Sequence, residues 1–279
     1  MRNRFLLAGC ILLSNFLNAQ SLRKPVAAPY IGLGAYSTHH SDVFSITANQ
    51  ASLASLKNIS AGLYGEKRFL LNEINNYSAI IAVPTGHGNF AFQADYSGFS
   101  NFRETQLGLA YARSLGNNLD VGVKFNYYSF TIPTYQTSSA VNFEIGLIVH
   151  LTEKVHAGIH VYNPVGGHIS KTDKEKLGAA YKFGLGYEAG KNFMISAEII
   201  KEENNPVNVN AGVQYNFVKQ FFARMGISSE RGSPFAGAGI SWNNLRLDLS
   251  ASWHPQLGLS PGLMLIYNFN SPSIEKDPL

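Results

Sequence analysis

"LDVGVKFNYY", residues 119–128, alternates residue by residue between two kinds of side chain. Leu119, Val121, Val123, Phe125 and Tyr127 fall on one face of an extended chain. Asp120, Gly122, Lys124 and Asn126 fall on the other. Strict alternation with a period of two marks a strand with one apolar face, because successive side chains of an extended backbone point to opposite sides. The rhythm recurs in "VNFEIGLIVH" (141–150), where Glu144 and His150 oppose Val141, Phe143, Ile145, Leu147 and Val149. It recurs in "VNVNAGVQYNF" (207–217), and in "LRLDLSASW" (245–253), with Arg246 and Asp248 on the polar face.

A soluble sandwich would alternate too, and two features argue against one. The apolar faces carry almost no charge over about ten residues, the length a tilted strand needs to cross a bilayer. The opposite faces carry Lys124, Glu144, Lys182, Glu198, Arg224, Arg246 and Asp248, the side chains of a polar lumen. The connections also alternate in length. Short turns such as "LGNN" (115–118), "LTEK" (151–154) and "EAGK" (188–191) take turns with long links such as "TIPTYQTSS" and "NPVGGHISKTDKEK". Short turns at one end and long loops at the other are the habit of outer-membrane barrels. Residues 60–270 are therefore predicted to form a fourteen-stranded antiparallel transmembrane β-barrel, an all-β fold with an even strand number. Tyr111, Tyr127, Tyr187, Phe217, Trp253 and Phe269 sit near strand ends, where aromatic girdles meet headgroups.

Composition agrees. Charged residues make up 14% of the chain, against about 25% in soluble domains, while Gly, Tyr and Phe are abundant. Residues 1–19 read as a secretory signal: Arg2 and Arg4, an apolar core from Phe5 to Leu17, and a cut after Ala19. The alternative reading, a Leu7-Ala8-Gly9-Cys10 lipobox, leaves an apolar core of only Phe5 to Gly9 and strands Ile11-Leu12-Leu13 at the mature end. Cleavage after Ala19 removes the one cysteine, so disulfide and thiolate chemistry drop out. It also removes two arginines, so 22 basic residues become 20 against 18 acids, and nothing calls for nucleic acid. The expected location is the bacterial outer membrane, with its lipid as the first partner.

Residues 20–59 lose the alternation. "SDVFSITANQASLASLKNISAG" places Ala, Ser and Leu at helical spacing, as a short helix plugging the barrel would. Residues 271–279 read as a tail.

The segment "ANQASLA", the barrel-opening "GLYGEKRF", "ETQLGLAYAR" and the closing "GLMLIYNF" together resemble the FadL/PorV-like outer-membrane barrels of bacteria with a type IX secretion system. The PorP/SprF-type barrels are near neighbours. The resemblance implies fourteen strands and an N-terminal plug built around Asn49, Gln50 and Ala51. Related chains often have Asn-Pro-Ala at that point, and Gln50 departs from it. It further implies a non-enzymatic accessory or scaffold subunit of an export or assembly machine, with protein partners in an outer-membrane complex. The alternative is a FadL-like diffusion channel for hydrophobic small molecules. A polar lumen parity weighs against that alternative unless a kinked strand makes a pocket near Pro84, Pro234 or Pro261.

Chemistry is sparse. His156 and His160 have the spacing of a helical metal pair, but on a strand they stand ~13 Å apart, too far for one ion. They read as lumen-lining side chains. Gly184-Leu185-Gly186 and Gly237-Ala238-Gly239 lack the strand–turn–helix setting of a nucleotide site and read as clearance for bulky lumen side chains. No catalytic, cofactor or metal site is expected.

Overall fold

A computed structural model describes residues 32–99, 102–132, 136–165, 177–203, 205–218 and 220–269. The signal segment, the tail from 270 and the charged loop at 166–176 lie outside the described residues. Fourteen antiparallel strands form one closed barrel. They are β1 (Ser60–Lys67), β2 (Asn75–Thr85), β3 (Gly88–Phe99), β4 (Phe102–Leu115), β5 (Leu119–Ile132), β6 (Gln136–His150), β7 (Val155–Tyr162) and β8 (Ala180–Gly190). β9 (Phe193–Glu202), β10 (Asn208–Asn216), β11 (Phe221–Ser228), β12 (Ser233–Trp242), β13 (Leu245–His254) and β14 (Gly258–Asn268) complete the wall. Each strand pairs with its neighbours in sequence, and the seam closes where β1 meets β14 from Ser60↔Asn268 to Glu66↔Gly262. Closure leaves no free sheet edge around the ring, which is what a lipid environment without hydrogen-bonding water demands.

Burial follows the period of two. On β5, Val123, Phe125 and Tyr127 face outward and stay exposed, while Lys124, Asn126 and Tyr128 are buried in the lumen. The outward Tyr127, Tyr187, Phe217, Trp253 and Phe269 are all exposed near strand ends. Tight links cluster at one end of the barrel. Gly88 turns the β2–β3 hairpin at φ +137°, packed against the Tyr111 ring, and Asn243 turns β12 into β13 at φ +52°.

The segment before β1 folds into the lumen as three short 3-10 helices, Leu33–Tyr36, Val43–Thr47 and Gln50–Ser55. The helical spacing of its sequence thus yields single tight turns in place of one α-helix. Ser, Asn and Asp side chains compete for backbone groups here. Asp42 accepts from the Phe44 amide with Ser45 answering it, and Asn49 accepts from the Ala51 amide. Val43, Phe44, Ile46 and Leu53 are fully buried against Tyr64, Ile80, Met264 and Ile266 of the wall. This plug core takes the place of a soluble protein's hydrophobic core.

Candidate functional site: the plugged lumen

The inner wall is shaped to receive the plug. Ala82, Ala91 and Ala110 lie across from one another on β2, β3 and β4. Ala112 pairs with Gly122, and Gly122 with Gly146, which carries the small residues round to β6. Gly158 pairs with Gly184 on β7 and β8. The glycines of this band touch the plug directly. A Cβ on Gly122 would stand 2.6 Å from the Ala51 nitrogen, and one on Gly184 2.0 Å from the Tyr36 ring. A Cβ on Gly186 would stand 1.8 Å from the Tyr36 carbonyl oxygen. These glycines therefore clear space for a chain segment, where the sequence suggested clearance for lumen side chains. Gly239 does serve the latter purpose, beside the Phe222 ring and the Asp248 carboxylate.

Polar anchors fix the plug against this seat. The Glu188 carboxylate accepts from the Ser37 hydroxyl, from the Thr38 amide at 2.6 Å and from the His39 amide at 3.2 Å. Asn49 donates to the carbonyls of Leu147 (3.1 Å) and Ile159 (3.2 Å). Gln50 donates to Glu144 and approaches His160 Nε2 at 3.0 Å. At the far end of the plug the Asn89 amide donates to the carbonyls of Leu53 (2.6 Å) and Leu56 (2.8 Å). Ala51 contributes no side-chain bond and lies fully buried beside Gly122.

The charged residues singled out from the sequence all face the lumen, in separate groups. Lys124 and Glu144 are cross-strand partners 3.4 Å apart, and Glu144 also meets His160 at 2.9 Å and the Asn126 amide at 2.7 Å. Lys182 sits opposite His160 across the β7–β8 ladder. Glu198 accepts from Asn210 (2.8 Å) and from the Tyr36 hydroxyl (3.4 Å). Asp42 of the plug lies 3.0 Å from Arg246 and 3.5 Å from Arg224, both stacked over Phe222. Arg246 grips Asp248 with two nitrogens, at 2.8 and 2.5 Å. His156 and His160 point to different neighbours. His156 lies Nδ1 to Nδ1, 2.8 Å from its cross-strand partner His150, and 3.8 Å from Glu188. Sequence parity put these groups in the lumen but missed Asp42, Glu188 and Asn89, whose partners lie 33 to 204 positions away in the chain.

His40 is buried beside this anchor, with Nδ1 3.2 Å from the Ser37 hydroxyl. Burial lowers its pKa from 6.5 to about 4; Glu188 pulls the other way, and Arg224, His39 and Arg246 reinforce the drop. Between those two values the undocked plug binds more protons at His40 than the docked plug does. Docking is therefore at full strength above pH 6.5 and weakens as pH falls toward 4. Protection factors of the 37–45 amides, taken relative to the intrinsic exchange rate at each pH, are expected to fall from pH 7 to pH 5 in the wild type. In His40→Gln that part of the dependence is lost; equal pH profiles for the two proteins would rule His40 out.

Between plug residues 39–41 and β10–β13, a cavity of about 170 Å³ opens at the short-turn end, lined by Gln214, Asn216, Phe222 and Arg246 among others. Its walls are mostly polar. β6 extends from residue 136, and among the described residues its pairing with β7 begins at Glu144↔Tyr162. The prolines mark no break: Pro84, Pro234 and Pro261 each sit in continuous register with Asn89, Ile227 and Ala251. Among the described residues the register shift of the wall falls in β8, between Glu188 and Gly190 against β9, a feature that parity and proline positions do not reveal.

No family model matches the chain, and no curated protein matches it. Solved structures do. The CymD monoaromatic hydrocarbon channel is similar at a TM-score of 0.67 with 12% identity, over 88% of this chain and 97% of that one. The Ralstonia pickettii toluene transporter TbuX gives 0.68 at 10% identity, over 89% and 99%. A Pseudomonas aeruginosa FadL homologue gives 0.62 at 11%, over 86% and 98%. The fold is thus that of FadL-type outer-membrane barrels. The expected export-scaffold role, with its type IX association, is overturned by this likeness to hydrophobic-molecule channels. The lumen charges had weighed toward the scaffold by suggesting a barrel filled with its own side chains. In the structure the lumen side chains do bond to one another, and Glu144, Glu198 and Arg246 in addition hold a plug in place.

Proposed function

We propose that the protein is a passive outer-membrane channel for small hydrophobic molecules. The observation that carries this reading is the plugged fourteen-strand barrel, which matches the folds of channels described for monoaromatic hydrocarbons and toluene over nearly nine-tenths of the chain. A plug seated by hydrogen bonds and ion pairs fits it, because it occupies part of the lumen that a hydrophilic solute would need. A small uncharged solute needs only local side-chain movement, and losing its hydration shell is favourable. Charged solutes face the desolvation cost of leaving water. In this reading the long loops face outside and the cavity at the short turns opens on the periplasm.

The test is uptake of radiolabelled toluene by cells lacking other hydrocarbon channels, with and without this chain. Expression is expected to raise the initial rate several-fold while leaving entry of a hydrophilic β-lactam unchanged. Equal toluene rates with the barrel folded in the membrane would overturn the reading.

A further inference from the structure

One row of ionisable side chains runs along the short-turn end of the lumen and ends at the plug. Asp120 on β5 places Oδ2 2.9 Å from Nε2 of His150 on β6. His150 Nδ1 lies 2.8 Å from Nδ1 of His156 on β7, and His156 Nε2 lies 3.8 Å from Oε1 of Glu188 on β8. On its other side Glu188 takes the plug. Oε1 accepts from the Ser37 hydroxyl and from the Thr38 and His39 amides, and Oε2 meets His39 Nδ1 at 2.5 Å. His156 and Glu188 are buried, and water reaches the row at His150 and His39, 19% and 43% exposed.

Elimination fixes the hydrogens of this row. A carboxylate only accepts, so His150 turns an Nε2–H to Asp120. In an uncharged pair His150 Nδ1 is then bare, and the hydrogen between the two Nδ1 atoms belongs to His156. His156 Nε2 is left as an acceptor facing the Glu188 acceptor. It is buried and has no hydrogen-bond partner among the described residues, a costly arrangement. One proton from solvent removes the mismatch. With three hydrogens on the four nitrogens, His150 still faces Asp120 with Nε2–H, one hydrogen is shared between the Nδ1 atoms, and His156 points an Nε2–H at Glu188. A single positive charge then lies between two carboxylates.

Glu188 Oε1 is also the oxygen that holds Ser37, Thr38 and His39. A hydrogen on His156 Nε2 draws it across the 3.8 Å gap toward the wall and away from the plug amides. We propose that the His150–His156 pair is a proton-operated latch, in which uptake of one proton transfers Glu188 from the plug to the wall and loosens residues 37–39. The ionisable groups around the pair are Asp120, Glu188, and His39 and His40 of the plug. His160, further along β7, turns instead to Glu144 and Gln50. The seated plug binds one proton fewer at the pair than the released plug does. Docking is therefore strong where the pair is uncharged and weakens as pH falls through the imidazole range, between pH 8 and 5. The latch concerns the plug and holds whatever the barrel carries.

The test uses the full chain in lipid nanodiscs, in a His40→Gln background so that His40 does not contribute, with heat-modifiable gel mobility as the check on folding. Protection factors of the 37–39 amides, relative to intrinsic exchange at each pH, are expected to fall about tenfold from pH 7 to pH 5, the effect of one charge-assisted hydrogen bond changing hands. Adding His156→Leu is expected to flatten that fall. Adding Asp120→Asn is expected to move it to lower pH, because the charged pair loses one of its flanking carboxylates. ¹⁵N spectra of histidine-labelled protein give a readout independent of stability: His156 is expected to carry its hydrogen on Nδ1 at about pH 8 and to gain one on Nε2 by about pH 5. A flat profile in His40→Gln, an equal fall with and without His156, or a His156 tautomer unchanged over that range would overturn the latch.

Discussion

Gly186→Val expels the plug from a barrel that otherwise stays folded. The position lies in the middle of β8 with no positive φ, so a β-branched residue suits the backbone. The obstacle is the plug: a Cβ there would stand 1.8 Å from the Tyr36 carbonyl oxygen and 2.9 Å from the Tyr36 Cβ. Backbone cannot swing aside as a flexible side chain does. Overpacking of this kind costs about 1–3 kcal/mol or more, which shifts a docking equilibrium by roughly 10- to 100-fold. Hydrogen exchange across residues 33–55 is the direct readout, expected to lose its protection while the strand amides keep theirs. Planar-bilayer recordings are expected to show a conductance that the wild type lacks. Gly190→Ala is the control, because a Cβ there meets nothing within 4 Å. A Gly186→Val protein with a protected plug would show that the seat is looser than its geometry implies.

Glu144→Ala produces the largest loss of stability. Glu144 is buried at the junction of the plug and the wall, with Lys124 at 3.4 Å, His160 at 2.9 Å, and hydrogen bonds from Asn126 and Gln50. Removing it strands the Lys124 ammonium, itself buried, beside donors that have lost their acceptor. Breaking one half of a buried pair costs about 3–5 kcal/mol, whereas replacing both halves with apolar residues is often near neutral. The double variant Lys124→Met/Glu144→Leu is therefore expected to recover most of the loss. Urea-unfolding midpoints of the heat-modifiable band check both statements. A single variant as stable as the wild type would mean that water reaches Lys124 and the pair is not sealed.

Most of the barrel was legible because period two is a local property. Each ten-residue stretch announces its own faces, so strand number and the lumen position of Lys124, Glu144 and Arg246 follow from parity alone. The plug was legible only as a departure from that rhythm. Its seat was not, since Gly122, Gly146 and Gly184 become one surface only once β5 through β8 stand side by side. Nothing local distinguishes a glycine that meets Tyr36 from one that clears a neighbouring ring, as Gly239 does for Phe222.

The plug also bears on the order in which the molecule is made. It is the first part of the described chain, yet Asp42 reaches Arg246 on β13, Phe44 lies against Gly62 of β1 and Tyr36 reaches Glu198 on β9. The contacts of Asp42 and Tyr36, with partners 204 and 162 positions away, form late, because the loop-closure cost comes before any reward. An unfinished sheet lacking β13 offers Asp42 no arginine from that strand. The Asp42–Arg246 anchor must therefore wait for β13, although the seat on β3 through β8 is in place before it. That ion pair then reports that the ring is nearly complete.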